Sequence, residues 1–172
     1  ELLKQSFSPM AIRFFILSAH YRGTVDFSND ALVASEKGLE RLMNGLADLD
    51  RIQPQADCDA ETKKVVNELR QKCYDAMNDD LATPLVISHL FEACSVVNKL
   101  LDHKATICQD CLEELKSTMR LFAFDILGLA DEKAANNEAR EEAYGKVVDM
   151  VLDLRSKARA NKDWATCDQI RD

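Results

Sequence analysis

Apolar residues recur every three or four positions along most of this chain, and nothing alternates with period two over a useful length. Spacing near 3.6 puts apolar side chains on one face of a helix, whereas period two marks a half-buried strand. The pattern predicts an all-α protein with an antiparallel helical bundle from about 30 to 129. Ser8-Pro9 reads as an N-cap followed by Pro at the first helical position. The helix it opens runs through Met10, Ile12, Phe14, Phe15, Ile16 and Leu17 to about His20. It is apolar nearly all round, so burial against something larger is expected. Tyr21-Arg22-Gly23 ends it, and Thr24 to Phe27 reads as extended or loop.

Ser28-Asn29-Asp30 caps a second helix with Leu32, Leu39, Leu42, Leu46 and Leu49 on one face. A polar linker with Gln53-Pro54 ends near Asp59. The third helix carries Val65, Val66, Leu69, Cys73, Ala76 and Met77, and Asn78-Asp79-Asp80 closes it. Thr83-Pro84 repeats the cap-then-Pro signal. The fourth helix presents Ile87, Leu90, Phe91, Cys94, Val97 and Leu101. The fifth carries Cys111, Leu112, Leu115, Met119, Phe122 and Ile126, with Gly128 at its C-cap. Residues 131–137 read as a charged, Asn-rich linker. A sixth helix uses Tyr144, Val147, Met150, Val151, Leu154 and Ala158, and Asp163 reads as the N-cap of a seventh.

Composition agrees with a helix-rich fold: only 5 Gly and 3 Pro punctuate 172 residues. Net charge is −8, which argues against a nonspecific DNA coat but leaves room for a local RNA contact. The acidic runs Asp57–Glu61, Asp79-Asp80 and Asp131-Glu132 read as caps and solvated faces near helix ends. Six cysteines at 58, 73, 94, 108, 111 and 167 lack the spacing of a disulfide-stapled domain, so a reducing cytoplasm is expected. No signal peptide or apolar run of transmembrane length is read from the sequence, and no membrane partner is expected. The start at Glu1 and the stop at Asp172, inside what reads as a helix, suggest a piece of a larger protein.

Cys108-Gln-Asp-Cys111 is a C-x-x-C. Structural zinc usually takes four ligands, no second pair lies at suitable spacing, and His20, His89 and His103 are not paired. The pair is read as incidental, with no metal site and no cofactor in this chain. P-loop, G-x-G-x-x-G and G-x-S-x-G motifs are absent, and no catalytic residue is assigned. Asp79 and Asp80 are better explained by capping before Pro84 than by acid/base work.

The densest chemistry lies at the end. Residues 155–172 hold five basic residues and the only Trp, while Asp163 and Asp168 are the only acids between Leu154 and Arg171. A basic helix followed by a Trp can grip a phosphate backbone and stack on an exposed base. Arg155 and Arg159, four apart, share a face. Alternatively that face is merely solvated and Trp164 packs across a helix corner. His20 and Arg22, on the helix that also carries Arg13, likewise either cap a helix C-terminus or contact an RNA backbone.

Several segments carry a family resemblance. The run Ile12-Arg-Phe-Phe-Ile-Leu-Ser-Ala-His-Tyr-Arg22 with Val25-Asp-Phe-Ser28 resembles the segment after the catalytic KMSKS loop of cysteinyl-tRNA synthetases. Leu39-Glu-Arg-Leu42, Asn78-Asp-Asp-Leu-Ala-Thr-Pro84, Leu90-Phe91 and Val97-Asn98 follow in the family's order. The tail from Ala158 to Asp172 is similar to the start of its anticodon-binding domain. Ala82 departs from the pattern, standing where the family commonly has Asn.

The resemblance implies a class I ligase that activates cysteine with ATP and transfers it to tRNA(Cys). Its signature motifs, ATP and cysteine sites and catalytic zinc lie upstream of the segment that this chain resembles. It also implies three parts: a stem-contact segment at 1–29, a DALR-like bundle at 30–130, and a linker with the start of a truncated anticodon-binding domain at 131–172. Arg159, Trp164 and Asp168 match anticodon-contacting positions, with Arg155 and Lys162 beside them. Arg13, His20 and Arg22 fall in the stem-contact segment. On this view the full-length enzyme is a monomer, the segment alone is inactive, and its exposed first helix promotes self-association. Two rivals are a mycothiol-pathway cysteine ligase, disfavoured by the Lys162-Asp-Trp164 tail, and a stand-alone helical interaction module.

Overall fold

The computed structural model describes residues 7–160 and 163, and side chains outside 132–144. All its regular elements are helical: α1 (Pro9–Leu17), α2 (Asn29–Asp48), α3 (Ala60–Asn78), α4 (Thr83–Leu101), α5 (Gln109–Arg120) and α6 (Glu132–Ala160). The chain divides into two compact units, 1–130 and 131–172.

In the first unit, side-chain caps set three helix starts. Ser8, Ser28 and Asp59 accept from the backbone N–H of Ala11, Ala31 and Thr62 at 3.0, 3.3 and 2.8 Å. Each satisfies a donor that the first turn cannot pair internally. Thr83 does not cap. The N-cap of α4 is Ala82, which makes no side-chain cap hydrogen bond. Thr83 Oγ1 instead donates to the Leu17 carbonyl at 2.8 Å, tying the start of α4 to the end of α1. That helix is shorter than its apolar run suggests, because Ser18 takes the C-cap position.

The apolar stripes meet as their spacing requires. Leu42, Leu49, Leu90, Leu115, Met119 and Phe122 have no exposed surface. Each such side chain contributes about 1.5–3 kcal/mol by leaving water. Helices α2 and α4 approach closely at Gly45, where an added Cβ would lie 2.6 Å from Cys94 Sγ. By length and composition α4 could span a bilayer, contrary to the sequence expectation. Its Val86, Ile87, Leu90, Ala93, Cys94, Val96, Val97 and Leu100 are buried in the bundle, which marks a core helix.

Helix α5 passes into a π-helical turn, Leu121–Ile126, a widening that the 3.6 period does not predict. Gly128, with φ +61°, ends it in the left-handed conformation that glycine adopts without a Cβ clash. Arg120 reaches both carboxylate oxygens of Asp50 at 2.9 and 2.8 Å, pinning α5 to the 3-10 turn Leu49–Arg51.

The second unit corrects one expectation. The predicted 131–137 linker is helical from Glu132. Its Ala, Glu, Lys and Arg residues favour helix strongly enough to outweigh Asn136 and Asn137. The expected seventh helix lies outside the described residues.

Candidate functional site

His20, Tyr21 and Arg22 lie beyond the end of α1 and do not cap it. They converge on one carboxylate from the α3–α4 link, Asp80. The Tyr21 hydroxyl donates to Asp80 Oδ1 at 2.6 Å, and Arg22 Nη2 reaches the same oxygen at 3.0 Å. His20 Nε2 lies 3.7 Å from Oδ2. Arg22 Nε also donates to the Tyr21 hydroxyl at 2.9 Å, and the His20 and Tyr21 rings stack with centroids 4.9 Å apart.

The hydrogen bond to Asp80 pushes the Tyr21 hydroxyl above its usual pKa. Asp80 and Leu81 both take positive φ, 57° and 53°. That backbone costs roughly 1–2 kcal/mol per residue, and the three partners of Asp80 help hold it. Asp80 is therefore an acceptor for the 20–22 segment, and the expected capping role before Pro84 falls to no carboxylate. Two separate motifs, His20-Tyr21-Arg22 and Asn78–Pro84, form one surface.

Arg13 has a structural partner that sequence reading missed. Its Nε donates to the Leu127 carbonyl at 2.8 Å, and its guanidinium occupies the space beside Gly128 where a Cβ would sit. It straps α1 to the end of the fifth helical segment.

Arg155 and Arg159 are exposed on the last turns of α6, with Lys157 also in the final turn. A cationic helix C-terminus suits the helix dipole as well as an RNA phosphate. Asp163 N–H donates to the Ala158 carbonyl at 2.9 Å. Lys162, Trp164 and Asp168 lie outside the described residues.

Among the described residues the cysteines separate into two kinds. Cys73 and Cys94 are core residues, and burial pushes their thiols up to about 12 and about 11. Cys58, Cys108 and Cys111 instead form a cluster with all three sulfurs within 4.8 Å of one another. Cys108 is the N-cap residue of α5, with Cys111 in its first turn. The backbone N–H of Cys111, near the sulfur though not in capping geometry, and then the Cys111 thiol hold Cys108 below the usual thiol range. Desolvation first, then the neighbouring thiols, pushes Cys111 up to about 12. Local spacing revealed the C-x-x-C pair, but Cys58 is fifty residues away and carried no local signal.

A family profile described as the DALR domain matches residues 72–131, from the second half of α3 through the π-helical turn. Similarity to whole proteins extends further. A cysteine–tRNA ligase of Phocaeicola vulgatus is 61% identical over 100% of this chain and 34% of its own length. That of Bacteroides thetaiotaomicron is 57% identical over 99% of the chain and 34% of its length. The more distant one of Chlorobium chlorochromatii is 37% identical over 100% and 35%. Along its whole length the chain is similar to cysteine–tRNA ligases. It spans about a third of the length of the curated relatives it matches. Within the family match, the DALR region contributes Asp80, Cys108 and Cys111, while His20 to Arg22 and Cys58 precede it.

Proposed function

We propose that this chain is the C-terminal, tRNA-facing part of a cytoplasmic cysteine–tRNA ligase, built to position tRNA(Cys) and help read its anticodon. The observation that carries this reading is the similarity to cysteine–tRNA ligases along the whole chain, with a DALR domain inside it. The full-length protein joins cysteine to tRNA(Cys) through cysteinyl-adenylate. On this reading ATP, cysteine and the catalytic zinc bind segments outside this chain, which by itself performs no chemistry.

Arg155, Arg159 and Lys162 supply charge for the RNA backbone or a base edge. Trp164 supplies a face for base stacking, and Asp168 accepts from a base amine. Spaced four apart, Trp164 and Asp168 suit the same nucleotide. The stem-contact role falls chiefly to Arg22, whose side chain is 68% exposed despite its pairing with Asp80. His20 stands beside it, and Arg13 contributes mainly by holding α1 in place.

The test is tRNA affinity and aminoacylation in the full-length enzyme carrying Trp164→Ala. Loss of a base stack is expected to weaken tRNA binding by roughly 1–3 kcal/mol. Unchanged affinity and aminoacylation would remove Trp164 from the site. A salt-insensitive affinity of the wild type for tRNA would remove the phosphate contacts.

A further inference from the structure

We propose that Cys58, Cys108 and Cys111 form a zinc site that clasps the α2–α3 linker to the start of α5. The three sulfurs already lie within 4.8 Å of one another, although Cys58 comes from a separate stretch of chain. Tetrahedral zinc with Zn–S bonds of about 2.3 Å needs sulfurs about 3.8 Å apart. The adjustment required is therefore within reach of small side-chain rotations.

The backbone fixes this approach independently of any metal. Gln55 N–H donates to the Ile107 carbonyl at 2.8 Å, and Asp59 N–H donates to the Thr106 carbonyl at 3.3 Å. Thr106 N–H returns a hydrogen bond to Asp59 Oδ2 at 3.0 Å. Cys58 lies between those two anchors on one strand of the clasp, and Cys108 follows them directly on the other. Cys108, at the N-cap of α5, and Cys111, in its first turn, are three apart, and their sulfurs meet within the 4.8 Å cluster.

Exposure distinguishes two of these thiols from the core pair. Cys58 and Cys108 are half-buried, while Cys111 is buried. A site with this gradient admits an ion from solvent and seats it against the bundle. Binding replaces three thiol protons, released to solvent, with three Zn–S bonds, and a water completes the tetrahedron. The donor set is all sulfur, which selects zinc or a softer ion over magnesium or calcium.

The experiment titrates the reduced, metal-free 172-residue chain anaerobically with Co2+ and then Zn2+. The wild type should take up an equimolar amount of Co2+, with thiolate-to-cobalt charge-transfer absorption and tetrahedral d–d bands that Zn2+ abolishes. Zn2+ should also raise its Tm. Cys58→Ser and Cys111→Ser should each weaken binding by about tenfold or more. Cys58 lies in the linker, so Cys58→Ser decides the outcome if Cys111→Ser fails to fold. Cys167→Ser should bind as wild type does. Absence of the charge-transfer band, binding unchanged in Cys58→Ser, or binding lost in Cys167→Ser would each overturn the site.

Discussion

Helices α4 and α6 are both long and rich in aliphatic residues, yet they treat those residues in opposite ways. In α4, Val86, Leu90, Ala93 and Val97 are wholly buried, among eight buried residues. In α6, Val147, Val148, Met150, Leu152 and Leu154 are all about half exposed or more. The difference lies in angular arrangement as well as in content. The apolar positions of α4 face α2 and α3, which bring matching stripes. Those of α6 crowd into 147–154 and point in several directions, so no single neighbouring face can cover them. Aliphatic content alone therefore does not identify the helix that stabilises the fold.

The contrast yields its largest effect by truncation. Leu90→Ala, at a position with no exposed surface, should destabilise the bundle by about 2–5 kcal/mol. Leu152→Ala, at 53% exposure, should change stability by less than about 0.5 kcal/mol. Urea unfolding followed by circular dichroism measures both. Equal losses would mean that α6 buries its aliphatic face in solution and would collapse the distinction.

Overpacking should produce a smaller effect on the same side of the comparison. Gly45→Ala places a methyl 2.6 Å from Cys94 Sγ, a contact that requires the Cys94 side chain or one of the two helices to shift. A cost of about 1–3 kcal/mol is expected. Cys94→Ala removes the obstructing sulfur, so the double variant should lose less than the sum of the two single losses. Strict additivity in a double-mutant cycle would show that the helices adjust without strain. Gly145 in α6 has nothing within 4 Å of its added Cβ, so Gly145→Ala should not destabilise and should gain helix propensity.

How much of this was legible in sequence follows from the range over which each signal acts. The apolar stripes from Leu32 to Phe122 and the caps Ser8, Ser28 and Asp59 depend on residues within a few turns, and those expectations hold. Thr83 was misread because a hydroxyl before proline looks like a cap, while its acceptor is the carbonyl of Leu17, sixty-six residues away. Asp80 was misassigned for the same reason, since its partners are Tyr21 and Arg22, and the link from Arg13 to Leu127 likewise carried no local signal. Cys58 was invisible beside the C-x-x-C until the chain closed on itself. Of the proposed RNA-reading residues, Arg155 and Arg159 are exposed on α6, while Lys162, Trp164 and Asp168 lie outside the described residues.

The mildest effect concerns a cap that is also a clasp. Asp59 accepts from Thr62 N–H at 2.8 Å, from Thr62 Oγ1 at 2.7 Å, and from Thr106 N–H at 3.0 Å. These donors, the Thr62 N–H foremost, hold its carboxyl below the usual carboxylate range. A folded-state pKa below the unfolded one means that the ionised group adds stability above the unfolded carboxylate pKa, near ~3.9. That contribution is lost as pH falls through the lower, folded value. Asp59→Asn keeps a capping oxygen but removes the charge, so it should be less stable than wild type at neutral pH. The difference should shrink on acidification below about pH 4, as wild type takes up its proton. Asp59→Ala should cost about 1 kcal/mol for the lost cap. Tm measured against pH for wild type and both variants decides the matter. A wild-type advantage over Asp59→Asn that persists undiminished in acid would mean that geometry, and not charge, makes Asp59 the anchor between the linker and α5.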